Sequence, residues 1–124
     1  MKIGISSTGK KLDADVDQRF GRCQYFLIID IETMKVKTLS NDATLSSGGA
    51  GIQAAQIVTK EGVDVVITGN IGPNAFQILQ AAGVKVYTGA EGTVQEVLEN
   101  YKKGNLKETG EANVESHAGI GGRK

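Results

Sequence analysis

This chain of 124 residues has one cysteine, one proline, one histidine and no tryptophan. A single cysteine cannot close an internal disulfide, and with no Cys-x-x-Cys or His-x-x-x-His spacing no preformed structural zinc site is expected. No apolar run is long enough to cross a bilayer, and the apolar stretch after Met1 is too short for a secretory signal. Together with the lone thiol, these absences point to the reducing cytosol, and the expected location is cytoplasmic. An excess of either charge is missing too, since 14 Lys and Arg residues face 14 Asp and Glu residues. No global positive field is available to hold a nucleic acid backbone, so neither nucleic acid nor membrane is an expected partner. The length suits one domain.

What the chain does have is glycine, 17 residues of it, gathered into a few loops. Between those loops the pattern alternates. Residues 2–6 read as a short strand ended by Ser7-Thr8-Gly9, and the acidic stretch 13–17 continues as loop. Residues 25–31 are apolar, aromatic and β-branched, which suits a strand covered on both faces; 35–39 alternate charged and apolar side chains, as in a partner strand with one wet face. Glu32-Thr33-Met34 is a hairpin-length connection. Ile52, Ala55, Ile57 and Val58 give helical spacing as far as Glu61, with Gly62 as the stop. A buried strand at 63–68, a helix from Pro73 to Ala82, a strand at 85–88 and an amphipathic helix carrying Val94, Val97, Leu98 and Tyr101 follow. The expected fold is α/β: a mixed five-stranded sheet in the order 3-2-1-4-5, flanked by helices, which is the ribonuclease H-like motif.

In that topology one edge of the sheet collects Ser7-Thr8-Gly9, Arg19-Phe20-Gly21-Arg22-Cys23, Ser47-Gly48-Gly49-Ala50-Gly51 and Thr68-Gly69-Asn70-Ile71-Gly72. Ligands of open α/β sheets bind outside the carboxyl ends of strands where the connection direction reverses, here between the first and fourth strands. Ser7, Thr8, Gly69 and Asn70 should line that crevice. Three helices begin at the same edge, and their unpaired N–H groups and dipoles attract negative charge. Glycines at 48, 49 and 51 would let a ligand approach the backbone, and Arg19 and Arg22 add full charges. A bulky anion is the expected ligand, set against glycines that merely turn and arginines that are merely solvated.

Other patterns weigh less. Gly49-Ala50-Gly51-Ile52-Gln53-Ala54 matches G-x-G-x-x-A, yet residues 40–47 separate it from its strand and no acidic residue follows for a ribose, so no nicotinamide site is expected. Asp13, Asp15 and Asp17 open like a calcium loop, but Gln18 and Gln24 stand where the glycine and the bidentate glutamate belong. The first strand offers no carboxylate for two-metal nuclease chemistry. Cys23 beside Arg22 is either a thiolate able to ligate iron or a small buried apolar residue. His117 lies in a glycine-rich segment able to fold over a ligand, or else idles in a tail. No acid, base and nucleophile set can be assembled, and no enzyme is expected.

Asp17-Gln18-Arg19-Phe20-Gly21-Arg22-Cys23-Gln24-Tyr25-Phe26 resembles the motif near the second strand of the dinitrogenase iron-molybdenum cofactor biosynthesis family, which includes NifX, NafY and the NifB carboxyl-terminal domain. Gly48-Gly49-Ala50-Gly51-Ile52-Gln53-Ala54-Ala55, the run from Gly62 to Ala75 and Ala82-Gly83-Val84-Lys85-Val86-Tyr87 are similar to its stand-alone branch. The likeness covers residues 1 to about 102 as a NifX-like domain and leaves 103–124 as an expected flexible, glycine-rich tail. It implies a non-catalytic nitrogenase accessory factor that binds or carries an iron-sulfur or iron-molybdenum cluster as cargo, with cluster-assembly proteins as partners. Many relatives have histidine before the Phe-Gly pair; Arg19 stands there in this chain, as an electrostatic substitute beside the matched Phe20 and Gly21. Cys23 and His117 are then the candidate metal ligands. The reading from another class is a regulatory or interaction module that takes a small anionic metabolite or a partner protein at the same edge.

Overall fold

The computed structural model describes residues 1–41 and 49–110. Along the chain run β1 (Lys2–Ser7), β2 (Tyr25–Asp30), β3 (Val36–Ser40), α1 (Ala50–Lys60), β4 (Val65–Ile67), α2 (Pro73–Ala81), β5 (Lys85–Tyr87) and α3 (Val94–Lys102). The sheet order is β3-β2-β1-β4-β5, as the alternation of patterns predicts. β1 is antiparallel to β2, with Lys2 opposite Asp30 and Ser7 opposite Tyr25, and parallel to β4, with Ile3 opposite Val65.

Alternation along the strands builds three layers. In β2, Phe26 and Ile28 face one way and pack with α1 and α2 through Ala54, Val58, Ala75 and Leu79. Leu27 and Ile29 face the other way and join Ile3, Ile5, Val65 and Ile67 under Val94, Val97 and Leu98 of α3. The near-continuous apolar run of β2 is thus the signature of a strand buried on both faces.

Three segments differ from expectation. β4 is shorter than 63–68, since its parallel pairing covers Val65–Ile67. The stretch 13–17 is no loose loop: Ser7 bridges Val16, Asp15 bridges Thr93 and the Asp17 N–H donates to the Ser6 carbonyl at 2.9 Å. Beyond α3, the described residues up to 110 turn back onto β5, where Glu108 bridges Tyr87 and the Thr109 N–H donates to Val86 O at 2.7 Å. That pairing covers part of an otherwise open sheet edge.

Candidate functional site

The Arg19-Phe20-Gly21-Arg22 segment is held from three sides. Asn70 N–H donates to Gln18 O at 2.8 Å and Phe20 N–H to Asn70 O at 3.2 Å, a short parallel bridge that docks the segment on the end of β4. Phe20, 1% exposed, anchors it from below with its ring 5.2 Å from that of Phe26. From the far side the buried Asn41 donates its amide to Gly21 O at 3.2 Å and Cys23 O at 2.9 Å. Gly21 lies flat on the first turn of α1, where a Cβ would sit 2.9 Å from both N and Cα of Gly51. Only glycine permits that approach of two backbones.

The same docking aligns two helix starts. α1 begins after Gly49, whose φ of 71° lies in the left-handed region, and α2 begins after Gly72 with Pro73 in its first turn. Neither cap residue has a side chain to offer, and neither first turn holds an acidic residue. Intrahelical bonding starts with Gln53 N–H to Gly49 O and Phe76 N–H to Gly72 O, so the amides before them point out of the helices. Residues 19–22, 49–52 and 70–75 together enclose a cleft of about 540 Å³. Two helix dipoles and two arginine residues therefore border one space, an arrangement suited to an anion.

α3 contributes nothing to it, contrary to the expectation of three helix starts. Thr93 and Glu96 form a capping box, and the amides of Val94 and Gln95 donate to Ala14 O and Leu12 O at 2.8 and 2.9 Å. Its donors are already used.

Of the residues picked from the sequence, Arg19, Phe20, Gly21, Arg22, Gly49, Gly51 and Asn70 meet in the cleft, Phe20 with its side chain turned into the core. Ser7, Thr8 and Gly69 do not line it. Ser7 is buried, with its hydroxyl on Gly9 O at 2.7 Å, and Thr8 lines a separate shallow hollow with Lys10 and Tyr25. Gly69 is covered by Gln18, whose Cα would stand 2.7 Å from a Cβ there. The crevice expected between β1 and β4 is filled by residues 15–20 of the chain itself, and the usable space is displaced toward α1 and α2. Gly48 and His117 lie outside the described residues.

Cys23 corrects another expectation. Its thiol is fully buried, donates to Phe20 O at 3.4 Å and accepts from the Asn41 amide at 3.6 Å. Burial, seconded by the negative charge of Asp17, pushes its pKa up to about 12. A neutral core thiol, rather than a thiolate beside Arg22, occupies the position. Among the described residues no three His, Cys, Asp or Glu side chains gather as a metal site.

Sequence reasoning missed Ile52, Pro73, Asn74 and Ala75 in the lining, placed Ala50, Ile71 and Gly72 on that edge without picking them as site residues, and missed Asp17 and Asn41 as supports. A helix opening on Gly-Pro without a Ser, Thr or Asp cap was the available signal for α2.

A family described as dinitrogenase iron-molybdenum cofactor matches residues 1–104. The apo form of the orange protein from Desulfovibrio gigas is 39% identical, with 90% of this chain and 95% of that one covered and a TM-score of 0.88. A solution structure described as a candidate NifB protein from Thermotoga is 41% identical over 86% of this chain and 91% of its own, with a TM-score of 0.76. An uncharacterised protein of Methanocaldococcus jannaschii is 29% identical over 110 residues, 86% of this chain and 90% of its own length.

Proposed function

This chain belongs to the dinitrogenase iron-molybdenum cofactor family, and we propose that it is a non-catalytic carrier of a preassembled, anionic iron-sulfur or iron-molybdenum cofactor precursor. The observation that carries this reading is the chemistry of the cleft lining, which among the described residues holds arginine, glycine, asparagine, proline and apolar residues and no thiol, imidazole or carboxylate. Such a lining can donate hydrogen bonds and present positive charge, but its described residues offer no thiolate or imidazole to the iron of a cluster. The cargo therefore brings its own ligands, and contact is made through its outer sulfur or oxygen atoms. A relative described in an apo form and named for a colour agrees with a removable chromophore.

Arg19 and Arg22 are the charged contacts, the amides of Gly51 and Asn74 the dipolar ones, and Ile52 and Ile71 the apolar walls. Each helix start contributes roughly 0.3–2 kcal/mol, and each exposed arginine about 1 kcal/mol or less. A sum of that size gives the modest affinity a carrier needs in order to pass its cargo to cluster-assembly proteins.

The test is anaerobic mixing with a preassembled cluster, followed by gel filtration and absorbance. Co-elution that disappears in the double variant Arg19→Ala, Arg22→Ala supports the proposal, and no co-elution at any cluster concentration removes it. The same lining suits a small phosphorylated metabolite, the regulatory-module reading. Protein purified without oxygen that contains neither iron nor molybdenum, yet is thermally stabilised by phosphorylated ligands, would favour that alternative.

A further inference from the structure

Arg19 reaches the cleft with a carboxylate attached to it. Asp17 is only 6% exposed, and its Oδ1 accepts the Arg19 backbone N–H at 3.0 Å. The same oxygen lies 3.5 Å from Arg19 Nε, whose side chain is 68% exposed. The two partners are not equally free. Asp17 is fixed through its main chain, with its N–H on Ser6 O at 2.9 Å and its carbonyl accepting from Ser6 Oγ at 2.7 Å, and Ser6 Oγ in turn lies 2.7 Å from Thr68 Oγ1 in the core. Arg19 is the member able to move.

The geometry points to Asp17 as a positioning and charge-balancing residue that acts through Arg19, competing with the bound anion for the guanidinium and so keeping the cleft's hold weak enough for release. This inference rests on the carrier reading and adds a control on affinity to it. The side-chain contact of 3.5 Å is at the long limit of a hydrogen bond and the backbone contact of 3.0 Å is not, so an anion can draw the guanidinium away while the loop keeps its anchor. Once Arg19 has turned to the anion, the Asp17 carboxylate is left without its counter-ion and opposes the negative charge in the cleft. Among the described residues Asp17 makes no other ion pair.

Asp17→Asn separates the two roles, since the amide oxygen still accepts the Arg19 N–H while the charge is gone. It should bind anions about two- to fivefold more tightly than wild type, the range open to a largely exposed pair. A merely structural Asp17 gives the opposite sign, because loosening the loop can only weaken binding. The experiment titrates wild type, Asp17→Asn and Asp17→Ala with inorganic sulfate, and then with a thiolate-capped iron-sulfur cluster under anaerobic conditions. It follows the Arg19 Nε–H resonance by NMR together with the Gly51 and Asn74 amides. The expected result is tighter binding by Asp17→Asn, with a sulfate-dependent shift of the Nε–H signal in wild type that is already present in the variant before sulfate is added. Asp17→Ala, which removes the acceptor as well, should melt lower than Asp17→Asn. If Asp17→Asn binds sulfate no more tightly than wild type, or if it tightens while the Nε–H signal stays fixed, the inference is overturned whatever the cluster does. If the sulfate results come out as expected and neither protein takes up the cluster, the carrier reading fails and the role of Asp17 stands.

Discussion

Replacing Gly21 by alanine probes the joint on which the cleft is built. The added Cβ would meet N and Cα of Gly51 at 2.9 Å and the carbonyl carbon of Ala50 at 3.3 Å. All three are backbone atoms of α1, so no side chain can swing aside, and the Arg19–Arg22 segment must lift off the helix by roughly 0.5–1 Å to restore van der Waals contact. Overpacking of this kind costs about 1–3 kcal/mol. The smaller conformational freedom of alanine in the unfolded chain returns about 0.4–1 kcal/mol. The net loss is of order 1–2 kcal/mol, several degrees in the midpoint of thermal unfolding for a domain of this size. The partner glycine gives the contrast. A Cβ at Gly51 meets only the Cβ of Ala75, at the ordinary distance of 3.5 Å, and the residue lies inside α1. Gly51→Ala should therefore stabilise by about 0.5–1 kcal/mol, as alanine does in a helix. Circular dichroism melts of both variants decide the matter. Gly21→Ala melting at or above wild type, or Gly51→Ala melting well below it, would refute the packing argument.

The Cys23 thiol sets a pH dependence. Its folded pKa, raised from 9.0 to about 12, lies above the unfolded value, so the stability it contributes is complete below about pH 9 and is lost as pH rises toward 12. The slope is at most about 1.4 kcal/mol per pH unit; urea titrations across that window should show it in wild type and show it reduced in Cys23→Ala. Thr93→Ala removes the capping box of α3 and should cost about 1 kcal/mol in the same titrations, with anion binding unchanged because α3 lies apart from the cleft. Cluster binding should weaken as ionic strength rises from 0.05 to roughly 0.5 M, and the salt dependence should flatten in the Arg19→Ala, Arg22→Ala double variant.

Much of the fold is legible in the sequence because burial leaves a period. The unbroken apolar run of β2, the i, i+3, i+4, i+7 spacing of Val94, Val97, Leu98 and Tyr101, and Gly62 and Gly83 at helix ends each report a local constraint. The site was legible only in part. That the glycine-rich loops share one edge follows from topology, and so do the meeting of Arg19 and Arg22 with Gly49, Gly51 and Asn70. Which gap stays open does not, since it depends on residues 15–20 pairing across the ends of β1 and β4, and the polar stretch before them carries no strand period. Cys23 misleads for a similar reason. Its neighbour Arg22 is exposed, whereas its own side chain turns into the core beneath Phe20, and adjacency in sequence says nothing of that direction. The capping of α3 could have been read from Thr93-x-x-Glu96, a pattern that marks satisfied amides rather than waiting ones.

Anomalous diffraction at the iron edge, from crystals of the protein loaded anaerobically with a preassembled cluster, tests the central claim most directly. The account predicts metal density between the first turns of α1 and α2, with Arg19, Arg22 and the Gly51 and Asn74 amides around it and no protein atom within bonding distance of a metal. Density beside Ser7 and Thr8, or a metal bonded to Cys23 or His117, would contradict it.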